Sequence, residues 1–208
     1  MKMRIHRSLA ALIAEGCEGR LNIKINKRWF ALGSIYPDCT HQRFIHMHEI
    51  GAAGNMVARM IHRFCKKSLC SGQNLSWWRS LRLGIVMHYV CDFFCYVHTV
   101  GFGGSLLEHR AYEQQQGALK NSIKTRDICS FYGINSPHGA VAKLIQVISK
   151  RQEDSYSPAK DLDYALAVGI ELAFAMLRIS MNASARPMLR HRMLFYGRCL
   201  IKKGVYLY

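Results

Sequence analysis

Residues 83–113 read LGIVMHYVCDFFCYVHTVGFGGSLLEHRAYE. Within this apolar stretch sit five groups that greasy segments rarely carry: His88, Asp92, His98, His109 and Glu113. The apolar residues recur at three and four rather than at two, the period of a helix with one face in a core. His88 and Asp92 are four apart, as are His109 and Glu113. Each pair therefore shares one helix face, with side chains one turn apart. Ten histidines and thirteen acids in 208 positions give about 0.6 His-x-x-x-acid pairs by chance. Two such pairs fall here within 26 residues, with His98 between them. A single histidine, such as His62, His138 or His191, reads as a core side chain in an ordinary hydrogen bond. The five together read as a metal site, because burying two carboxylates without a cation is costly. Imidazole and carboxylate without thiolate suit zinc at a catalytic centre, where the coordination leaves room for water.

The rest of the chain keeps the helical period. Alternation of Val, Ile and Thr is nearly absent. The pattern predicts helices at about residues 3–16, 46–69, 75–100, 105–125, 137–153 and 160–182, and a last one near 187–203. Asn74 or Ser76 can cap the third, and Ser136-Pro137 and Ser157-Pro158 read as helix starts. Gly33-Ser34-Ile35-Tyr36-Pro37-Asp38 reads as an irregular connector, since Pro37 biases Tyr36 away from helix. Asp38 on such a connector can reach over a site built on helices, or serve as a cap or turn residue. Neither a repeat nor a linker is evident. The expectation is an all-α bundle of about seven helices forming a single domain over residues 1–208.

Composition bounds the partners. Lys and Arg number 29 against 13 Asp and Glu, a formal charge of +16, and half the residues are hydrophobic. That excludes a disordered chain. Eight cysteines are too sparse for a disulfide scaffold, and Cys91 and Cys95 read as small buried side chains. The charge calls for an anionic partner: nucleic acid, a lipid surface or a phosphorylated substrate. The N-terminal run Leu9 to Ala14 is closed by Glu15 and Glu18. It reads as an amphipathic helix rather than a secretory signal, and a cytoplasmic location is expected. The longest apolar segment, Tyr164 to Ser180, contains Glu171 and Arg178 and falls short of about 18 uncharged residues for a span. The basic stretch Arg186 to Lys203 is a solvated face or a contact with an anionic membrane. Trp77 and Trp78 read as helix packing.

The run His88-Tyr-Val-Cys-Asp92, then His98, then His109-Arg-Ala-Tyr-Glu113 resembles the core of the bacterial zinc-dependent phospholipase C family. Gly-Ser-Ile-Tyr-Pro-Asp38 followed by His48-Glu49 resembles its short, intracellular-type members, and His6 resembles their early histidine. The likeness covers positions 6–113 and implies an all-α fold with a three-zinc cluster at one end of the bundle. It implies that Asp38, His48, His88 and Asp92 hold one zinc, with His46 competing for the place of His48. His98, His109 and Glu113 hold a second. Asp92 bridges to a third, shared with His6. Secreted members give the third ion an N-terminal tryptophan; this chain starts Met1-Lys2-Met3, so two Zn2+ are expected and the third is open. The implied reaction is metal-assisted hydrolysis of a phospholipid headgroup ester, with Asp38 orienting or deprotonating the attacking water. A zinc-dependent single-strand nuclease of the same fold competes, favoured by charge. It is disfavoured by Glu113, where that group resembles His-x-x-x-Asp. A basic helical protein that binds RNA or membranes without catalysis is the third reading.

Overall fold

The longest helix explains the architecture. Pro158–Met181 is apolar nearly all round, and 17 of its residues are buried. A helix without a polar face has to be the centre of a bundle. In the computed structural model, which describes residues 1–40, 49–70, 72, 74–99, 101–123 and 127–185, this helix packs against helices on every side. The described α-helices are α1 (Met3–Glu18), α2 (Lys27–Cys39), α3 (Ile50–Cys65), α4 (Trp77–Asp92), α5 (Leu106–Ala118), α6 (Pro137–Gln152) and α7 (Pro158–Met181). No strand occurs among the described residues, apart from an isolated bridge between Lys24 and Asn74. The all-α expectation holds. By length and composition α7 alone among them passes the test for a membrane span, but 78% of its apolar window is buried inside the bundle.

Local chemistry places most helix starts where the sequence puts them. Ser76, Ser136 and Ser157 each accept a backbone N–H of their own first turn, and Pro137 and Pro158 occupy the first helical position. Ser105 and Glu108 form a reciprocal capping box at the start of α5. Buried Ile5, Leu9, Ile13 and Cys17 mark the inner stripe of α1, and His6 lies on it.

The helix expected at 105–125 stops at Ala118, with a 3-10 turn at Lys120–Ser122, and two larger expectations fail. The connector at residues 33–38 is helix: α2 runs through Gly33 and Pro37 to Cys39. Gly33 serves a helix crossing rather than a break. A Cβ there would lie 2.1 Å from the Leu81 carbonyl oxygen, and one at Gly84 would lie 2.2 Å from that of Phe30. The two glycines let α2 and α4 pack backbone to backbone. Pro37 lies inside the last turn of α2, where it lacks the N–H that would reach the Gly33 carbonyl and only two helical residues follow it. The second failure is the single helix at 75–100. It stops at Asp92, and Tyr96–His98 form a separate 3-10 turn, because the Tyr96 N–H donates to Asp161 Oδ2 at 2.9 Å instead of continuing the helix. The predicted helix near 187–203 lies outside the described residues.

The seven described cysteines are free thiols. Cys91 and Cys95 are buried and point at the Ala165 carbonyl and the Gln116 amide, so they pack the core. Burial pushes the thiols of Cys17, Cys65 and Cys95 up to about 12, whereas Cys39 and Cys70 are exposed. A thiol reagent at pH 8, read by peptide mass spectrometry, is expected to label Cys39 and Cys70 in the native protein. Cys17, Cys65, Cys91 and Cys95 should label only after denaturation. Gly33→Ala is expected to force α2 from α4 and to lower unfolding stability by about 2–4 kcal/mol in urea melts; a neutral effect would refute the close crossing.

Candidate metal centre

The glycine crossing decides where His88 points. With α2 drawn against α4, the Nδ1 of His88 lies 2.8 Å from the Ser34 carbonyl oxygen. A carbonyl only accepts, so Nδ1 carries the proton and Nε2 keeps its lone pair. That nitrogen is 3.7 Å from Asp38 Oδ1, on the last turn of α2, and 3.4 Å from Asp92 Oδ2, on the last turn of α4. His6, from the first turns of α1, lies over His88 with ring centroids 4.1 Å apart. His6, Asp38 and His88 form one group whose donor atoms all lie within 4.8 Å of one another. Asp38 is thus fixed on a helix, not held loosely on a connector.

A second group forms beside it. His98 comes from the 3-10 turn, and His109 and Glu113 come from α5; their donor atoms also lie within 4.8 Å. His109 Nε2 is 3.4 Å and His98 Nε2 is 3.8 Å from Glu113 Oε1. Asp92, fully buried, stands between the groups. Its Oδ1 is 3.2 Å from His6 Nε2 and 3.2 Å from His98 Nδ1, while Oδ2 faces His88. The Met1 amino group also reaches Asp92 Oδ1, at 2.7 Å, and Glu113 Oε1, at 3.3 Å. Burial works against its charge, but Asp92 chiefly, with Cys95 and Glu113, holds its pKa up at about 11. Burial likewise favours the neutral form of Glu113, and the Met1 ammonium with His109 and His98 outweighs it, holding that carboxyl below its usual range.

These residues fit zinc. Bonds of about 2.0–2.2 Å to a tetrahedral ion set its donor atoms roughly 3.3–3.6 Å apart, and the 3.4 and 3.7 Å separations at His88 are of that size. A charge-assisted hydrogen bond would be nearer 2.7–2.9 Å. The two ring nitrogens of His6 are buried and make no hydrogen bond to any described residue, although its side chain is only 1% exposed. Nε2 has only its 3.2 Å approach to Asp92 Oδ1, and a buried imidazole without a hydrogen bond needs a partner, which a cation shared with Asp92 would supply.

Of the residues singled out in the sequence, His6, Asp38, His88, Asp92, His98, His109 and Glu113 meet in this one place. His48 and its rival His46 lie outside the described residues. Of the other two acids near the motif, Glu108 is spent on the cap of α5 and Glu49 precedes α3.

One functional set carried no spacing signal. Arg151 on α6 and Asp161 on α7 form a buried ion pair at 2.7 Å, with exposures of 1% and 0%. Asp161 also accepts the Tyr96 N–H at 2.9 Å, the Tyr112 hydroxyl at 2.7 Å and the Gln116 amide at 3.4 Å. Tyr96 opens the turn that carries His98, and Tyr112 and Gln116 belong to the helix that carries His109 and Glu113. The guanidinium of Arg151 lies over the ring of Tyr156, 4.3 Å from its centroid. Burial raises the Asp161 carboxyl despite these donors, so its ionised form depends on them. The set ties the second metal group to the far side of the bundle.

One end of the all-α bundle thus collects four histidines and three carboxylates, one of them the shared Asp92, in groups that could hold metal ions. The family model for zinc-dependent phospholipase C matches residues 5–162, well over half of the chain, and the chain belongs to that family. Comparisons with curated proteins and with solved structures found no match.

Asp161→Ala is expected to strand Arg151 and to lower stability by about 3–5 kcal/mol. Asp161→Asn keeps most of the donors and should cost less while loosening the turn at His98. Zinc titration of the folded Asn variant is expected to show affinity about tenfold weaker or more. Unchanged affinity there would make the set purely structural.

Proposed function

We propose that the protein is a zinc phosphodiesterase of phospholipase C type. It hydrolyses a phospholipid to a diacylglycerol and a phosphorylated headgroup. The observation that carries this reading is Asp92, buried and facing both donor groups at once. Asp38 and His88 with Asp92 would hold one ion, and His98, His109 and Glu113 with Asp92 a second. His6 would either complete the first group or, with Asp92, hold a third ion. His48 joins the first group on the sequence reading alone.

Bound zinc supplies Lewis acidity toward phosphoryl oxygens and makes water acidic enough to attack near neutral pH. The protein's own part follows from burial. His6, His88 and Asp92 close the floor of the site to solvent, while Asp38, 15% exposed, stands at its rim. From there Asp38 orients the attacking water and takes its proton. The water oxygen would form the new phosphorus–oxygen bond as the bond to the glycerol oxygen breaks, and the proton held by Asp38 would pass to that leaving oxygen. Fixing Asp38 on the last turn of α2 suits this role, since a base held by helix geometry needs little reorganisation. We also place the protein in the cytoplasm; the free thiols of the described residues suit a reducing compartment. The charge of +16 favours a second reading, cleavage of single-stranded nucleic acid at the same site.

Elemental analysis of purified protein is expected to find at least two zinc ions per chain. Chelation should abolish hydrolysis of a chromogenic phosphocholine ester, and zinc should restore it. His88→Ala and Asp92→Ala should each lose metal together with activity, on the order of 10²-fold or more. Zinc-free protein indifferent to chelator and to added metal would remove the metal reading. Cleavage of single-stranded DNA alone would move the substrate to nucleic acid.

A further inference from the structure

The chain has three tryptophans, Trp29, Trp77 and Trp78, and the bundle uses none of them as core. Their exposures are 37%, 52% and 44%, which corrects the expectation that Trp77 and Trp78 pack between helices. They sit together instead. Trp29 opens α2 and Trp77 opens α4, with ring centroids 5.0 Å apart, and Trp77 and Trp78 lie at 5.5 Å. From Trp29 the outer face of α2 continues through Leu32 and Tyr36, 43% and 40% exposed, at the three- and four-residue steps of one helical stripe. The next step is Cys39, whose thiol meets the thioether of exposed Met3 at 3.4 Å. The stripe thus runs about 14 Å along the helix axis from Trp29 to the turn that carries Asp38.

The surroundings are basic. Lys24 and Arg28 are exposed close to Trp29 in sequence, as is Lys27, which pairs with Glu18 at 3.3 Å, and the Arg82 guanidinium lies 5.0 Å from the Trp78 ring centroid. Residues 50–91 contain no acid at all. Exposed apolar side chains on a single face mark an interaction surface. Indole rings with a basic fringe are what the boundary of an anionic bilayer takes up, the ring in the headgroup layer and the cation against phosphate. Base stacking fits less well: the rings tilt against one another by 48° and 65°, a guanidinium lies over Trp78, and Leu32 and Met3 offer no stacking face.

We propose that Trp29, Trp77 and Trp78, with the Leu32–Tyr36 stripe of α2, form a docking surface for anionic phospholipid bilayers that leads to the metal centre at Asp38. The proposal rests on the lipid-substrate reading above for its purpose, but its test does not depend on turnover. Because all three tryptophans belong to this patch, tryptophan emission of the full chain, excited selectively over tyrosine, reports it alone. With vesicles of equal phosphatidylglycerol and phosphatidylcholine at 0.1 M salt, emission is expected to shift to the blue and to be quenched by brominated acyl chains. Raising salt should weaken binding. Trp77→Ser/Trp78→Ser, changed only at exposed positions, should bind these vesicles at least about tenfold more weakly. It should hydrolyse vesicle lipid correspondingly slower while turning over the soluble phosphocholine ester at the parent rate.

Four results overturn the surface: no vesicle-induced shift; a shift that grows with protein concentration without vesicles, meaning a second copy; blue emission insensitive to vesicles, meaning cover by residues 41–48 or 186–208; and a response to a thymidine oligonucleotide instead of vesicles. Vesicle binding by a protein that hydrolyses nothing would keep the surface and remove the activity. Undiminished hydrolysis of vesicle lipid by the variant would do the reverse.

Discussion

Asp92 is a carboxylate with no exposure at all, and an ionised group so placed has to be surrounded by partners or cations. The fold answers by bringing four groups from three pieces of chain to its two oxygens: Met1 and His6 from the N-terminal end, His88 from its own helix, and His98 from the turn beyond. His88 and His98 are near Asp92 in sequence, whereas Met1 and His6 come from the far end of the chain. The end of the bundle is therefore ordered as one unit, and a change at any of the four is felt by the rest.

Asp161 repeats the device one layer out. It too is buried, and it too gathers donors from elements distant in sequence. Between the two aspartates lies the short segment Phe93–His98. At one end the Asp92 carbonyl accepts the Cys95 N–H at 2.9 Å; at the other, Asp161 takes the Tyr96 N–H. The exit of the chain from α4 is thus held by polar bonds on both sides rather than by helix propensity. This is how His98, a residue on a turn of three, can be aimed as firmly as His88 on a helix of sixteen.

What the sequence made legible follows from this. Spacing exposes groups that share a helix, so His88 with Asp92 and His109 with Glu113 stand out unaided. Capping chemistry is equally local, and Ser76, Ser136 and Ser157 are readable for that reason. The crossing of α2 on α4 is not local. Gly33 and Gly84 look like ordinary helix-weakening residues until the partner backbone is in place, and Pro37 nearby reinforces the wrong reading. Arg151 and Asp161 were invisible because neither has a diagnostic neighbour; ten residues apart on different helices, they matter only through what converges on them. For the tryptophans the error runs the other way. Adjacent Trp77 and Trp78 cannot both face one core from one helix, since neighbours lie about 100° apart on its circumference, and at the first turn neither has to.

The charge can now be placed. Three of the thirteen acids sit in the metal centre, Asp161 is paired within the bundle, and Glu108 is held in a cap. Few acids remain to offset 29 Lys and Arg on the outside. A cation site recessed in a basic shell attracts anions over a distance and then discriminates at contact, and these are separate steps with different chemistry. Long-range charge draws any polyanion, whether membrane or nucleic acid. Discrimination falls to the rim, where the approach along α2 is lined by Trp29, Leu32 and Tyr36 rather than by charged side chains. A polyanion with an apolar layer beneath its phosphates gains from both steps, whereas a fully solvated one gains mainly from the first. The same net charge that points to nucleic acid in the sequence therefore favours a lipid surface once the apolar residues are located.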